Sequence, residues 1–333
     1  MPIDYSVIIC TYNPDPRLIE RCLNAVARLN MDHLNVEVIL VDNNSTEPIK
    51  DSLMVKELLG NMNNLRLINE LKQGLTSARL AGIKDAKGEV IVFFDDDNEP
   101  EVNYLQELHR LNQKHKHIAV WGPGNIWVDF VDGIDEDIEE YARGVFQERH
   151  NEHVAYANTR EWQNCYPFGT GMCVKATYLK NYVELVNGGK LTLSDRKGNQ
   201  LSSGGDVQIV LSSLKMGLGA GVSPGLKLNH IIPAKRANYD YIARLLYGVF
   251  IESTITTGQV FPEHYEAERS KTLGRSKFSK MAMRGYLKFI FNNNPYNRFA
   301  YIIEVAQNCG LYYAFEKPIP MPVQWIIRQL KLG

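Results

Sequence analysis

Three short apolar runs, each ending abruptly in a polar cluster, most constrain how this 333-residue chain can fold. Ser6–Cys10 (SVIIC) leads into Thr11-Tyr12-Asn13-Pro14, Val36–Val41 (VEVILV) into Asp42-Asn43-Asn44-Ser45, and Glu89–Phe94 (EVIVFF) into Asp95-Asp96-Asp97. An uninterrupted apolar run closed by turn residues is the pattern of a strand buried on both faces. Between the runs the spacing predicts helices. Leu18, Cys22, Ala25, Val26 and Leu29 share one face over Arg17–Leu29, and a second helix is predicted over Leu75–Ala86. With a short strand at Leu65–Asn69, strands alternate with helices, which implies right-handed crossovers and a mostly parallel sheet. Ligands of such sheets gather beyond the carboxyl ends of the strands. The three polar clusters would all lie there.

The second half is less regular. Ile118–Val120 and Met172–Lys175 are predicted strands, with an acidic stretch from Asp129 to Glu140 and a helix between them. Leu191–Leu201 reads as a hairpin around Asp195-Arg196-Lys197-Gly198-Asn199, and Asp206–Met216 as a helix that stops at Gly217. Gly217-Leu218-Gly219-Ala220-Gly221 follows a helix and not a strand, so it is read as a helix stop and loop, not as a dinucleotide fingerprint. Gly122-Pro123-Gly124 is too short to carry meaning alone. From Arg269 to Ile303 there are eight Lys and Arg and no Asp or Glu, interleaved with Phe278, Tyr286, Phe289, Phe291 and Tyr296.

Composition narrows the class. A hydrophobic fraction of 44% and a charged fraction of 23% are those of an ordinary globular protein, and a net charge of −1 argues neither for nor against nucleic acid. The five cysteines are odd in number, widely spaced and without a C-x-x-C pair, which suits buried thiols in a reducing compartment. The N-terminal residues lack a charged region followed by a long apolar one, and no run approaches the roughly 18 apolar residues of a membrane span. The expected location is the cytoplasm, with contact to the inner face of the membrane left open.

Three adjacent carboxylates repel each other unless a cation or donor neutralises them. A divalent ion such as Mg²⁺ or Mn²⁺ takes oxygen ligands and shares them with substrate phosphates, so Asp95-Asp96-Asp97 at a strand end points to a metal and diphosphate site. The bland alternative is a solvated acidic turn before Pro100.

In their order and spacing, SVIICTYNP, VILVDNNST, GLTSARLAGIKDAKGEVIVFFDDDNEP, FGTGMCVK and SGGDVQIV resemble the family 2 glycosyltransferases, over about residues 4–230. The resemblance implies the GT-A fold, a Rossmann-like α/β domain with a mostly parallel central sheet and here a helical C-terminal extension. It divides the chain into residues 1–235, with a nucleotide-binding half (1–115) and an acceptor half (116–235), and a basic, aromatic helical region at 236–333. It implies an inverting transfer of a sugar from a nucleotide diphosphate donor, with uridine the commonest base, to an acceptor hydroxyl, and a divalent Mn²⁺ or Mg²⁺ cofactor.

The same resemblance assigns the site residues. Thr11, Tyr12 and Asn13 lie beside the nucleoside, Asp42 with Asn43 reaches the base, and Arg79 sits near the donor. Asp95, Asp96 and Asp97 hold ribose and diphosphate, with Asp97, Asp95 and His230 as metal ligands. Gly169-Thr170-Gly171 lets the backbone approach the transferred sugar, with Gly171 in contact with the donor. Asp206 deprotonates the acceptor, although the position suits a helix N-cap equally well. Many members have Glu-Asp where this chain has Gly205-Asp206, so a second carboxylate is missing from that position.

The partners implied are the nucleotide-sugar donor and a saccharide or lipid-linked saccharide acceptor of surface polysaccharide or glycolipid synthesis in bacteria; nucleic acid is not expected. The basic C-terminal segment, with Val323–Leu332 and its Trp325, Arg328 and Lys331, has two readings. One is docking to an anionic membrane surface; the other is a helical subdomain covering the acceptor side or an interface between copies of the chain. Two rival functions remain. A nucleotidyltransferase usually carries a Gly-rich basic loop after the first strand, unlike Thr11-Tyr12-Asn13-Pro14-Asp15-Pro16, and a non-catalytic nucleotide-sugar-binding protein would suit the glycine at 205.

Overall fold

The apolar runs are strands of one mixed sheet in a computed structural model that describes residues 2–193, 195–196 and 201–332. In chain order the elements are β1 (Tyr5–Thr11), α1 (Pro16–Ala27), β2 (Val36–Asp42), α2 (Leu53–Asn61), β3 (Leu65–Asn69), α3 (Leu75–Asp85), β4 (Val90–Asp95), β5 (Asn98–Pro100) and α4 (Tyr104–Lys114). There follow β6 (Ile118–Phe130), α5 (Glu136–Val145), β7 (Arg149–His150), β8 (Ala155–Ala157), β9 (Cys173–Lys175), α6 (Ala176–Asn187), α7 (Gly205–Lys215) and β10 (Gly219–Ile232). Beyond β10 come helices α8 (Tyr239–Val260), α9 (Glu263–Arg269), α10 (Arg275–Phe291), α11 (Pro295–Ala314) and α12 (Met321–Gln329).

The sheet order is β3-β2-β1-β4-β9-β6-β10-β5, with β7 on β6 and β8 on β10. β3, β2, β1 and β4 are mutually parallel, whereas β9 runs against both β4 and β6. Side chains of the parallel strands alternate between two cores, as the pleat requires. Val7, Ile9, Val38, Leu40, Val92 and Phe94 pack on the side of α1 and α4, and Ile8, Cys10, Ile39, Val41, Ile91 and Phe93 on the side of α3 and α7. Each fully buried aliphatic side chain contributes about 1.5–3 kcal/mol, so neither face can be exchanged for solvent. Both faces are covered, which is why these strands read as continuous apolar runs.

A third core lies among α5, α8, α10, α11, α12 and the ends of β6 and β10. It includes Val323, Ile326 and Leu332, so the apolar side of the Val323–Leu332 stretch is spent on internal packing and not on an external surface. Among the described residues no helix is long and apolar enough to cross a membrane.

Two elements differ from the sequence expectation. The strand expected at Ile118–Val120 runs on to Phe130, through Gly122-Pro123-Gly124. It stays paired with β10 across a register shift between Ser223 and Lys227, and a Cβ at Gly124 would meet the Ser223 carbonyl oxygen at 2.6 Å. Gly217 does stop α7, at φ +80°, but Gly219 and Gly221 belong to β10. A Cβ at Gly221 would lie 2.5 Å from the Ala155 carbonyl oxygen of β8, so these glycines admit a neighbouring backbone and form no loop. Of the turn of the hairpin expected over Leu191–Leu201, Lys197-Gly198-Asn199 lie outside the described residues.

Candidate active site

Strand register brings the three polar clusters together. Thr11 is paired with Asp42 across β1 and β2, and Cys10 with Asp95 across β1 and β4, so three parallel strands end at one level. A cavity of 240 Å³ opens there, lined by Thr11, Tyr12, Asn43 and Asp95-Asp96-Asp97, with Arg196 and Arg236 opposite. A second cavity, of 630 Å³, is lined by Asp206, His230, Phe146, Leu245, Leu246 and Phe250. Arg196 and Arg236 line both.

Each aspartate of the triplet has its own partner. Asp95 faces Arg79, with Nη2 3.9 Å from Oδ1. Asp96 accepts the Thr11 hydroxyl at 2.5 Å; burial and then the Asp97 charge push its carboxyl well above the usual range. Asp97 is buried, with the His230 Nε2 3.5 Å from its Oδ2 and the Arg236 guanidinium bonded to the same oxygen. Burial works to raise the Asp97 pKa, but His230 and Arg236 more than offset it and hold the carboxyl far below its ordinary value.

His230 is oriented by its other nitrogen. Nδ1 lies 2.8 Å from the Phe146 carbonyl oxygen, which can only accept, so Nδ1 donates there and Nε2 is the nitrogen turned toward Asp97. This arrangement is that of a metal-ligating histidine. Asp97 and His230 thus fit a divalent ion that takes its remaining ligands from phosphate and water. Asp95 does not join them: it is turned to Arg79, and among the described residues no three His, Cys, Asp or Glu side chains converge as a metal site.

Arg79 is buried on α3 beneath the cavity floor, with Nη1 3.6 Å from Asp195 Oδ2 and its guanidinium over the Phe93 ring at 5.9 Å. Burial opposes its charge, yet Asp95, Asp195 and Asp206 around it raise its pKa on balance. Asp206 stands in the first turn of α7, accepting Gly169 N–H and Val207 N–H, each at 2.8 Å. A Cβ at Gly169 would come within 3.0 Å of both Arg79 Nη2 and Asp206 Oδ2, so the missing side chain leaves Asp206 and the arginine close together.

Three expected contacts are placed differently. Both Asp42 carboxylate oxygens accept backbone N–H groups of its own loop, Ser45 and Ile49 at 3.0 Å each, and Asp42 does not line the cavity. Asn13, at φ 47°, accepts Thr46 N–H and ties the β1 and β2 loops together, away from the cavity wall. Gly171 has the left-handed φ of +69°, but a Cβ there would meet Leu228 and the Tyr104 hydroxyl, and its carbonyl accepts that hydroxyl at 2.6 Å. It faces the core; Gly169 faces the site. Asn43 lines the cavity while its amide and carbonyl bind Glu70 O, Lys72 O and Gly74 N–H.

The sequence reading missed Arg236 and Asp195. Arg236 follows His230 by six residues, and the rings of Phe146 and Tyr241 flank its guanidinium at 5.3 and 5.7 Å. Its proximity to the histidine in sequence was the available signal. Asp195 is buried at φ 41° and accepts Gly204 N–H and Gly205 N–H at 2.8 and 3.0 Å, doing for α7 the work of a capping side chain that Gly204 lacks. Burial raises its pKa, Arg79 works against that, and the neighbouring Asp206 adds to the rise.

A mixed sheet with carboxylates at its parallel strand ends, and an aspartate at the head of a facing helix, belongs to the GT-A class of α/β folds. The model of glycosyl transferase family 2 matches residues 6–177, and the chain belongs to that family. Among its relatives, glycosyltransferase GlyG of Streptococcus pneumoniae serotype 4 is 32% identical over 149 residues, covering 41% of this chain and 46% of that protein. Glycosyltransferase AglE of Haloferax volcanii is 34% identical over 102 residues, 30% of this chain and 33% of its own. These matches span less than half of either relative's length. The crystal structure of S. aureus TarS 1–349 in complex with UDP-GlcNAc aligns over 95% of this chain and 93% of its own, with 14% identity and a TM-score of 0.49.

Proposed function

We propose that the chain is an inverting glycosyltransferase that moves a sugar from a nucleoside-diphosphate donor, a UDP-sugar in the first instance, to an acceptor hydroxyl. The observation that carries this reading is that Arg236 lines both cavities, one ending at Asp97 and the other at Asp206. A donor whose diphosphate lies against Asp97 and Arg236 presents its sugar toward Asp206.

In this reading Asp206 takes the acceptor proton as the acceptor oxygen forms its bond to the anomeric carbon. The bond from that carbon to the diphosphate breaks with its electron pair on the leaving oxygen, from the face opposite the attack, so configuration inverts. Gly169 N–H and Val207 N–H fix the direction of the Asp206 carboxylate. The charge gathering on the leaving diphosphate meets Arg236, and Arg79 offsets Asp95, Asp195 and Asp206 around it. A Mg²⁺ or Mn²⁺ ion, for which Asp97 and His230 are the ligands at hand, would supply further neutralisation of that diphosphate. Asp95 serves the ribose side, and Asp42 and Asn13 act by shaping the nucleoside loop.

Asp195 serves as the second carboxylate of the site, in place of the acidic residue absent at 205. Residues 1–235 form the transferase body, and 236–333 close its acceptor side through Leu245, Leu246 and Phe250. These apolar walls suit an acceptor saccharide carried on a lipid, as in bacterial surface polysaccharide or glycolipid synthesis. The test is thermal stabilisation across a panel of nucleotide sugars with Mn²⁺: stabilisation by UDP-sugars supports the donor assignment, and none by any nucleotide sugar refutes it.

A further inference from the structure

Helix α10 buries Phe278 and Ala282 and leaves its other side open. On that side Lys277, Lys280, Arg284 and Lys288, all exposed, follow at intervals of three or four residues, which sets them in one stripe. With the half-buried Arg298 of α11 they line an open groove of 1010 Å³ whose one acidic wall residue, among those described, is Glu304. Like charges at these spacings oppose helix formation, and between Arg269 and Ile303 the chain supplies no carboxylate to relieve them. At the end of the stripe two large apolar side chains stand in solvent beside Lys288: Leu287 (55% exposed) and Phe291 (85%).

We infer that this face of α10 and α11 is a docking surface for an anionic lipid bilayer, with the basic groove taking phosphate headgroups and Leu287 and Phe291 entering the acyl boundary. Charge complementarity selects the occupant. Uncompensated cations beside a protruding apolar tip match a surface that offers negative charge outside and hydrocarbon beneath. A soluble anion would leave the tip unaccounted for, and a second copy would set one basic stripe against another.

The placement also fits the proposed glycosyl transfer, and to that extent depends on it. Tyr296 and Ile303 of α11 line the cavity at Asp206 while Arg298 and Tyr301 of the same helix line the groove, so docking sets the acceptor cavity one helix from the bilayer.

The experiment is co-sedimentation of the full chain with vesicles of mixed phosphatidylglycerol and phosphatidylcholine, and with pure phosphatidylcholine vesicles. Binding to the anionic vesicles alone is expected, weakening with added salt. The triple variant K280A/R284A/K288A should bind about a hundredfold more weakly, at about fivefold per cation. L287S/F291S should lose the part of binding that survives high salt. Circular dichroism and UDP binding of both variants should match the parent, which separates loss of docking from loss of fold or of the donor site. The inference is overturned by no binding to anionic vesicles, by binding that the cation variant retains, or by displacement of the protein by inorganic phosphate at matched ionic strength. A dimer by light scattering that the apolar variant abolishes, with no vesicle binding, would assign the face to a second copy instead.

Discussion

Asp195 carries its carboxylate into the space that a side chain at Gly205 would need, and holds the Gly205 N–H at 3.0 Å. A glycine at 205 and a buried aspartate at 195 are therefore two halves of one arrangement. Asp195→Asn should keep the fold and donor affinity while lowering kcat about tenfold or more, because the amide cannot balance Arg79. Gly205→Ala, which pushes that carboxylate aside, should cost about 1–3 kcal/mol of stability by denaturant melt. Unchanged kcat in the first variant would leave Asp195 as a helix cap alone.

Asp206→Asn preserves the shape of the α7 head but removes the basic oxygen. Donor binding by calorimetry should stay within a few-fold of the parent. Transfer should fall by about 10²–10⁴, the usual worth of a positioned general base. Turnover retained at the parental rate would remove Asp206 from the mechanism.

For Arg236, the expected readout is binding. Arg236→Ala should weaken UDP about tenfold to a hundredfold, the scale of a lost charge-assisted hydrogen bond. Arg236→Lys should restore little, since the rings of Phe146 and Tyr241 are spaced for a planar guanidinium. Equal UDP affinity in the alanine variant would place the diphosphate elsewhere.

Glu252 of α8 gives the pH dependence. Burial, joined by the like charge of Asp195, pushes its carboxyl up to about 7 against a hydrogen bond from Ser202, and its buried Oε2 has no partner among the described residues. Between its ordinary value and about 7 the folded state keeps a proton that the unfolded chain releases. Stability from this group is thus full below the ordinary value and lost as pH rises through 7. Glu252→Gln should leave the melting temperature unchanged near pH 4.5 and raise stability by about 1–2 kcal/mol above pH 7, after allowance for partial solvent screening. A gain independent of pH would contradict the assignment.

The carboxylate-bearing side of this site was legible because its strands are buried on both faces. Past Ser6 and Glu37 near their starts, which bond each other, Tyr5–Thr11, Val36–Asp42 and Val90–Asp95 stay apolar up to their last residue, so the polar residues that follow mark the strand ends and the site together. β6 and β10 were obscured by glycines and prolines that resemble turns but serve close backbone approach. Asp195 and Arg236 were hidden for a different reason. Their roles come from loops that return to α7 and β4 from afar, and no local spacing encodes such a return. Gly171 and Gly169 show the limit of motif reading: the same short loop holds both, and only packing against Leu228 or Asp206 tells them apart.

The most direct test of the donor site is calorimetric titration of UDP with and without Mn²⁺ into the parent chain, Asp97→Ala and Asp206→Asn. Mn²⁺-dependent binding to the parent is expected, retained by Asp206→Asn and lost by Asp97→Ala. Mn²⁺-dependent binding of equal strength in Asp97→Ala, or none in the parent with any nucleoside diphosphate, would contradict it.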